Sequence, residues 1–394
     1  MPVDVLWSRS LHLRSGALAA SAGLVVVAER HSRLAGLDAR DGELLWEQRV
    51  EGSWGTVVIA GERCFHLSQR GTLDCLDLRS GRRLWSVTGL GFSRYVTACG
   101  DSVFTGGWRG YEPLTRLSLA DGSRLPLADA PTDALSWPAA LDPASGFPTG
   151  GLPPAGLAAS GLAAGLPAAG LAASGLAAGL PAAGLAASGF AAAGLPGVGL
   201  SAVGLSGAPA GRGAALLVAA AERAVLLLLG GSGVLLGEIG LPDPVRSPDG
   251  GRAFGVDDDG RVVFVSGART VMAFDIRRGV DVLWRHSRDL AALPPVIGGG
   301  TMWLVDEGGV AVVDLDGGTV GHRLLQGVAG PGILVTGRAL FSVRDGSVVA
   351  VGPDGEPTGL LRVPSGIDRM IAGDDGVFHV LGQGRLMTCA LPGS

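Results

Sequence analysis

The chain has 394 residues, 47% of them hydrophobic and 5% aromatic, with all 31 Lys/Arg positions held by arginine and a formal net charge of −5. That balance gives no electrostatic footing for nucleic-acid binding, and the length suits one large domain with its own core, spanning 1–394. The start, Met1 to Arg9, has neither a basic region nor a long apolar run, so the expectation is a cytoplasmic chain without an export signal.

In chain order, Val5-Leu6-Trp7 reads as a strand with no partner before it. The phrase Leu34-Ala35-Gly36-Leu37-Asp38, a turn at Asp41-Gly42, then Leu44-Leu45-Trp46 follows. It returns 39 residues later as Leu73 to Asp77, Ser80-Gly81 and Arg83-Leu84-Trp85. Each copy is two short strands joined by a turn whose glycine is free to take positive φ. Two more strands precede each phrase. Val57-Val58-Ile59-Ala60, a turn at Gly61-Glu62, and Arg63-Cys64-Phe65 have counterparts at Val96 to Phe104, Val296 to Trp303, Ile333 to Phe341 and Met370 to Phe378. A full copy closes at Trp284, and weaker copies place Pro126, Gly237, His322 and about Gly359 at the Trp position. A four-stranded unit with a period near 40 is the size of a propeller blade.

Residues 143–211 interrupt this pattern without a single charged side chain, cycling through Gly, Leu, Ala, Ser and Pro. Glycine every four or five residues, with Pro167 and Pro181 at equivalent places, argues against helix and strand and for a low-complexity insert. It falls between the expected strand Ser136-Trp137-Pro138-Ala139-Ala140 and the strand beginning at Ala215, in an inner-strand turn. The last segment, Arg385 to Leu391, is an inner-type strand with nothing after it. Running from the closing position near 359 off the end and on to Trp7 takes 42 residues, one more period. The N-terminal strand is therefore expected to complete the last blade and remove two open edges. The fold class is all-β: an eight-bladed propeller of four-stranded blades, seven blades being the alternative.

The recurring Asp38/Gly42/Trp46, Asp77/Gly81/Trp85 and Asp275/Gly279/Trp284 sets resemble the tryptophan-docking motif of pyrroloquinoline-quinone-type β-propeller repeats. That resemblance implies that Trp7, Trp46, Trp85 and Trp284 pack between neighbouring blades, while Pro126, Gly237 and His322 forgo the contact. It also implies a cofactor in the family's catalytic members, held by calcium with Glu and Asn and often covered by adjacent cysteines. This chain has no asparagine and no adjacent cysteines, so neither that dehydrogenase chemistry nor any cofactor is expected. The acidic run Asp257-Asp258-Asp259 reads as a hairpin turn, the six histidines show no ligand spacing, and no metal site is expected. Cys64, Cys75, Cys99 and Cys389 read as buried thiols, although Cys64 and Cys75 lie on facing strands where a bridge is geometrically thinkable.

Aromatic and arginine residues where one unit passes to the next mark a rim: Trp54, Arg94, Tyr95, Trp137 and Arg369 are the candidate binding residues. The favoured expectation is a monomeric, non-catalytic scaffold for a protein partner, with no nucleic acid and no membrane contact. The alternatives are a small-ligand sensor or enzyme using the central channel, and a membrane-associated scaffold tethered through the insert. Because closure entropy grows only logarithmically with loop length, removing residues 145–210 leaves a folded propeller. Thermal melting followed by circular dichroism checks this, the expected outcome being one cooperative transition near that of the full chain.

Overall fold

The computed structural model describes residues 3–11, 17–29, 32–51, 55–91, 93–107, 114–127, 138–141, 215–220, 224–240, 254–256, 261–266, 270–275, 281–287, 293–306, 308–316, 318, 320–354, 357–364 and 366–391. These form eight four-stranded antiparallel sheets. Blade 1 runs from the innermost strand Leu18–Ser21 to the outermost Leu44–Arg49. Blade 2 runs from Thr56–Ala60 to Arg83–Val87, and blade 3 from Ser93–Cys99 to Arg124–Leu125. Blade 4 pairs Ala139–Leu141 with Ala215–Ala220, so residues 142–214 lie between its first two strands, and it ends at Leu235–Gly240. The 143–211 insert itself falls outside the described residues. Blades 5, 6 and 7 begin at Phe254–Val256, Val296–Gly298 and Ile333–Val335. Blade 8 joins Arg369–Ala372, Val377–Gly382 and Arg385–Ala390 to the N-terminal strand Asp4–Ser10. Asp4 pairs with Ala390 and Arg9 with Leu386. Successive innermost strands touch all the way round, and that of blade 8 returns to that of blade 1. The ring is closed by the two chain ends.

Stacking sheets face to face explains the unbroken apolar runs. The second strand of blade 1, Leu24–Glu29, is buried at all six positions. Val26 packs toward blade 2 and Val25 toward blade 8, so both faces of the sheet are core. Each such side chain contributes about 1.5–3 kcal/mol of burial. Outer strands alternate instead, because one face meets solvent: in Leu44–Arg49 only Trp46 is buried.

The register corrects one expectation. Phe65 pairs with Cys75, and Cys64 with Leu76. Cys64 therefore faces the blade 1 seam and Cys75 the blade 3 seam. Their sulfurs lie on opposite faces of one sheet and cannot be bridged, and all four cysteines are free and buried.

The tryptophans join neighbouring blades in one repeated geometry. Trp7 Nε1 donates to the Ala39 carbonyl at 2.8 Å, Trp46 to Leu78 at 2.8 Å, Trp85 to Leu119 at 3.1 Å and Trp284 to Leu315 at 3.0 Å. In each case the indole also covers the turn glycine three residues further on: Gly42, Gly81, Gly122 and Gly318. These glycines have φ of 75°, 68°, 75° and 62°. A Cβ there would meet the ring of Trp7 at 2.7 Å, of Trp85 at 2.7 Å and of Trp284 at 2.9 Å. At the blade 3–4 seam, where Pro126 takes the Trp position, the side chain of Leu127 lies against Gly233. His322 turns away from this role and meets Asp306 of its own blade, Nε2 to Oδ1 at 3.1 Å.

A bulge precedes each of these tryptophans. Leu37 pairs with Leu44 and Gly36 with Trp46, which leaves Leu45 opposite nothing; Leu6, Leu84 and Leu283 occupy the same place. The extra residue turns the indole inward and its own side chain outward. Leu6 is 47% exposed and Leu45 48%.

Truncating Trp46 to Ala removes both the apolar plug and the interblade hydrogen bond. It is expected to cost about 3–5 kcal/mol, whereas Trp46→Phe keeps most of the plug and costs about 1–2 kcal/mol. Urea unfolding of the two variants beside the parent chain checks this order.

Candidate interaction surface

The ring has two unlike faces. One carries the turns of the inner and outer hairpins, including Gly42 and Gly81, and the blade 4 junction. The other carries the connections from each outer strand to the next blade, and the middle-hairpin turns. This connection face is where the candidate rim residues were expected. Trp54, Trp137 and the side chain of Arg94 lie outside the described residues. Tyr95 is not a surface residue: it is 2% exposed and sits in the blade 3–4 core. Its carbonyl accepts the Thr105 hydroxyl at 2.8 Å, burial raises its phenol pKa, and Gly106 leaves the space its ring tip needs. Period-2 alternation carries the ring into the seam, so the residue is packing. Arg369 is exposed on the innermost strand of blade 8. Desolvation by the surrounding atoms nevertheless lowers the pKa of its guanidinium.

A groove of about 490 Å³ opens on this face at the seam of blades 1 and 2. Ser32, Gln48, Arg49, Val50, Glu51 and Arg83 line it. Val50 is a buried apolar floor. Arg83 reaches across the seam, donating to the Arg49 carbonyl at 2.9 Å while its Nε holds the nearly buried Asp74 at 3.1 Å. Arg33 binds Glu47 at 2.9 Å and Glu29 at 3.7 Å. Glu51 takes Arg70 at 3.4 Å and the Thr72 hydroxyl at 3.3 Å. The charges come from the ends of strands in two blades, so only the folded ring assembles them. No sequence motif marks this groove. Its one sequence signal is the dense charge of Glu47-Gln48-Arg49-Val50-Glu51, next to Trp54.

His66 lies beneath this cluster, fully buried, with Asp74 as its cross-strand partner. Neither ring nitrogen has a hydrogen-bond partner among the described residues. Burial lowers its pKa to about 4; Asp74 opposes that shift and Arg83 adds to it. His379 of blade 8 is likewise buried, pairs through Nδ1 with the Thr388 hydroxyl at 2.8 Å, and is brought to about 4 mainly by burial. Desolvation raises the thiols of Cys64 and Cys389 to about 12 and that of Cys99 to about 11, which makes them poor nucleophiles. Among the described residues, no three His, Cys, Asp or Glu side chains gather as a metal site. No helix there is long and apolar enough to cross a membrane. The Asp257–Asp259 run lies outside the described residues. The matching turn in blade 8 has a structural role, since Asp374 accepts the Gly23 amide at 2.9 Å and so ties blade 8 to blade 1.

The two buried histidines set a pH dependence. Their folded pKa values lie below the ordinary 6.5, so between pH 6.5 and 4 the unfolded chain binds protons that the folded chain does not. Stability is full above that window and falls as pH drops through it. His66→Leu is expected to remove about one proton from the slope of unfolding free energy against pH. Leucine fits because Leu304 holds the equivalent place in blade 6, the fourth residue after the inner turn. Urea titrations at pH 7, 5.5 and 4.5 measure it.

Residues 4–125 match the family model PQQ_2, described as outer membrane protein assembly factor BamB. The match begins on the strand that closes the ring and ends on the outer strand of blade 3, a span that holds three of the docked tryptophans. No curated protein matches the chain at the level of sequence. Among solved structures it is similar to BamB from Moraxella catarrhalis, at 14% identity and a TM-score of 0.65, covering 100% of this chain and 99% of that one. It is also similar to Sqt1 of Saccharomyces cerevisiae, at 10% identity and a TM-score of 0.65 over 100% of both chains. A third similar structure is the computationally designed Ika8 protein, at 12% identity and a TM-score of 0.63 over 98% and 99%. The repeat phrase, the docked indoles and these matches together make the chain a β-propeller whose residues 4–125 match the PQQ-like repeat model.

Proposed function

We propose that this propeller is a non-catalytic platform that holds a protein partner on its connection face. The observation that carries the reading is the groove at the blade 1–2 seam, an open recess with an apolar floor and arginine walls. Arginine beside a buried apolar surface is the composition of an interface anchor site. The family model named for an assembly factor supports the same direction. The eight docked sheets supply rigidity, so a partner meets a preformed surface and binding costs little ordering of the platform.

Site-specific photo-crosslinking tests it. A photoreactive residue replacing Gln48 is expected to give one discrete protein adduct in cells that make the chain. The same group replacing Arg79, exposed on the opposite face, gives none. Equal labelling from both positions, or no adduct from either, overturns the reading.

A further inference from the structure

We propose that the blade 1–2 groove recognises a short acidic segment of the partner, with Arg49 as the pairing cation; this rests on the platform reading above. Arg49 and Arg33 face each other directly across the two outer strands of blade 1. Like charges opposed in this way are unfavourable unless each is compensated. Arg33 has its compensation in Glu47 and Glu29. The other carboxylates near the groove are also engaged: Asp74 with Arg83, and Glu51 with Arg70 and Thr72. The Arg49 side chain has no carboxylate partner among the described residues, and it is exposed in the groove wall. Four arginines and four carboxylates meet here, but Arg33 takes two of the carboxylates, which leaves Arg49 without one in the groove wall.

The chemistry of the walls narrows the occupant. A volume of about 490 Å³ takes several side chains and not only a lone carboxylate. Val50 offers the methylenes of a glutamate an apolar floor, and the Gln48 amide, which donates one N–H to the Arg49 carbonyl at 3.1 Å, keeps its oxygen and second N–H for an extended backbone. A long polyanion is disfavoured, because the whole chain carries a net charge of −5. A short acidic segment feels mainly the local arginines, since screening acts over about 8 Å at physiological salt.

Fluorescence anisotropy with the full chain tests the proposal. The probe is fluorescein-labelled Gly-Glu-Glu-Leu-Glu-Glu-Gly with a blocked C-terminus, and its all-glutamine analogue is the control. The glutamate peptide is expected to bind and the analogue to bind much more weakly. Arg49→Glu weakens the glutamate peptide about tenfold and Arg49→Gln about threefold. Arg79→Glu, on the opposite face, leaves it unchanged. The corresponding lysine peptide binds Arg49→Glu better than it binds the parent chain. Unchanged melting curves confirm that the variants are folded. Equal binding of the glutamate and glutamine peptides, equal loss in Arg79→Glu, or Arg49-dependent binding of a thymidine oligonucleotide as tight as that of the peptide overturns the acidic-segment proposal. A Gln48 cross-link that persists unchanged in Arg49→Glu overturns it too and leaves the platform standing. Absence of that cross-link in the parent chain overturns the platform instead.

Discussion

An indole lying on a glycine of the next sheet is the contact on which this architecture turns. The nitrogen satisfies a carbonyl in a turn that would otherwise face solvent, and the ring fills the space a side chain would take. Geometry makes the pair mutually dependent. A larger residue at Gly81 has nowhere to go while Trp46 is present, and without Trp46 the turn loses its cover. Because the contact always runs from one blade to the following one, it gives the ring a direction. The N-terminal strand takes part on the same terms, since Trp7 docks on Gly42 of blade 1. Closure of the circle is thus held both by strand pairing within blade 8 and by side-chain docking from blade 8 to blade 1.

The bulge before each tryptophan solves a second problem. Every blade ends in a strand with one free edge, and such an edge invites pairing with another chain. An extra residue at Leu6, Leu45, Leu84 or Leu283 breaks the regular spacing of the edge groups. The leucines that result lie on separate blades. The feature that orients the core indole also blunts the edge.

Much of this was legible in the residues. The repeat period, the turn glycines, the docking tryptophans and the closing strand all leave local marks, because each depends on a residue type at a fixed spacing. The bulge was not legible: Leu44-Leu45-Trp46 reads as a plain apolar run, and only the register shows that one leucine is unpaired. Tyr95 misled for a related reason. Its place beside a connection suggested the rim, but the pleat directs its ring into the seam between blades 3 and 4. The groove was invisible for a different cause. Arg33, Arg49, Asp74 and Arg83 come from two blades, and no linear spacing encodes their meeting. The substitutes at the weaker seams show the same limit. Leu127 covers Gly233 from one position beyond Pro126, so the slot is filled although the motif is lost.

The pairing of Asp4 with Ala390 has a geometric corollary. Both ends of the described chain reach the corner of blade 8 that corresponds to an outer hairpin turn in every other blade. The interrupted hairpin of blade 4 opens on that side as well. Anything tethered to either end, whether a tag, a lipid anchor or a fused domain, departs from the side opposite the groove. A molecule immobilised by its terminus therefore displays its arginine-walled recess outward, to whatever approaches from solution.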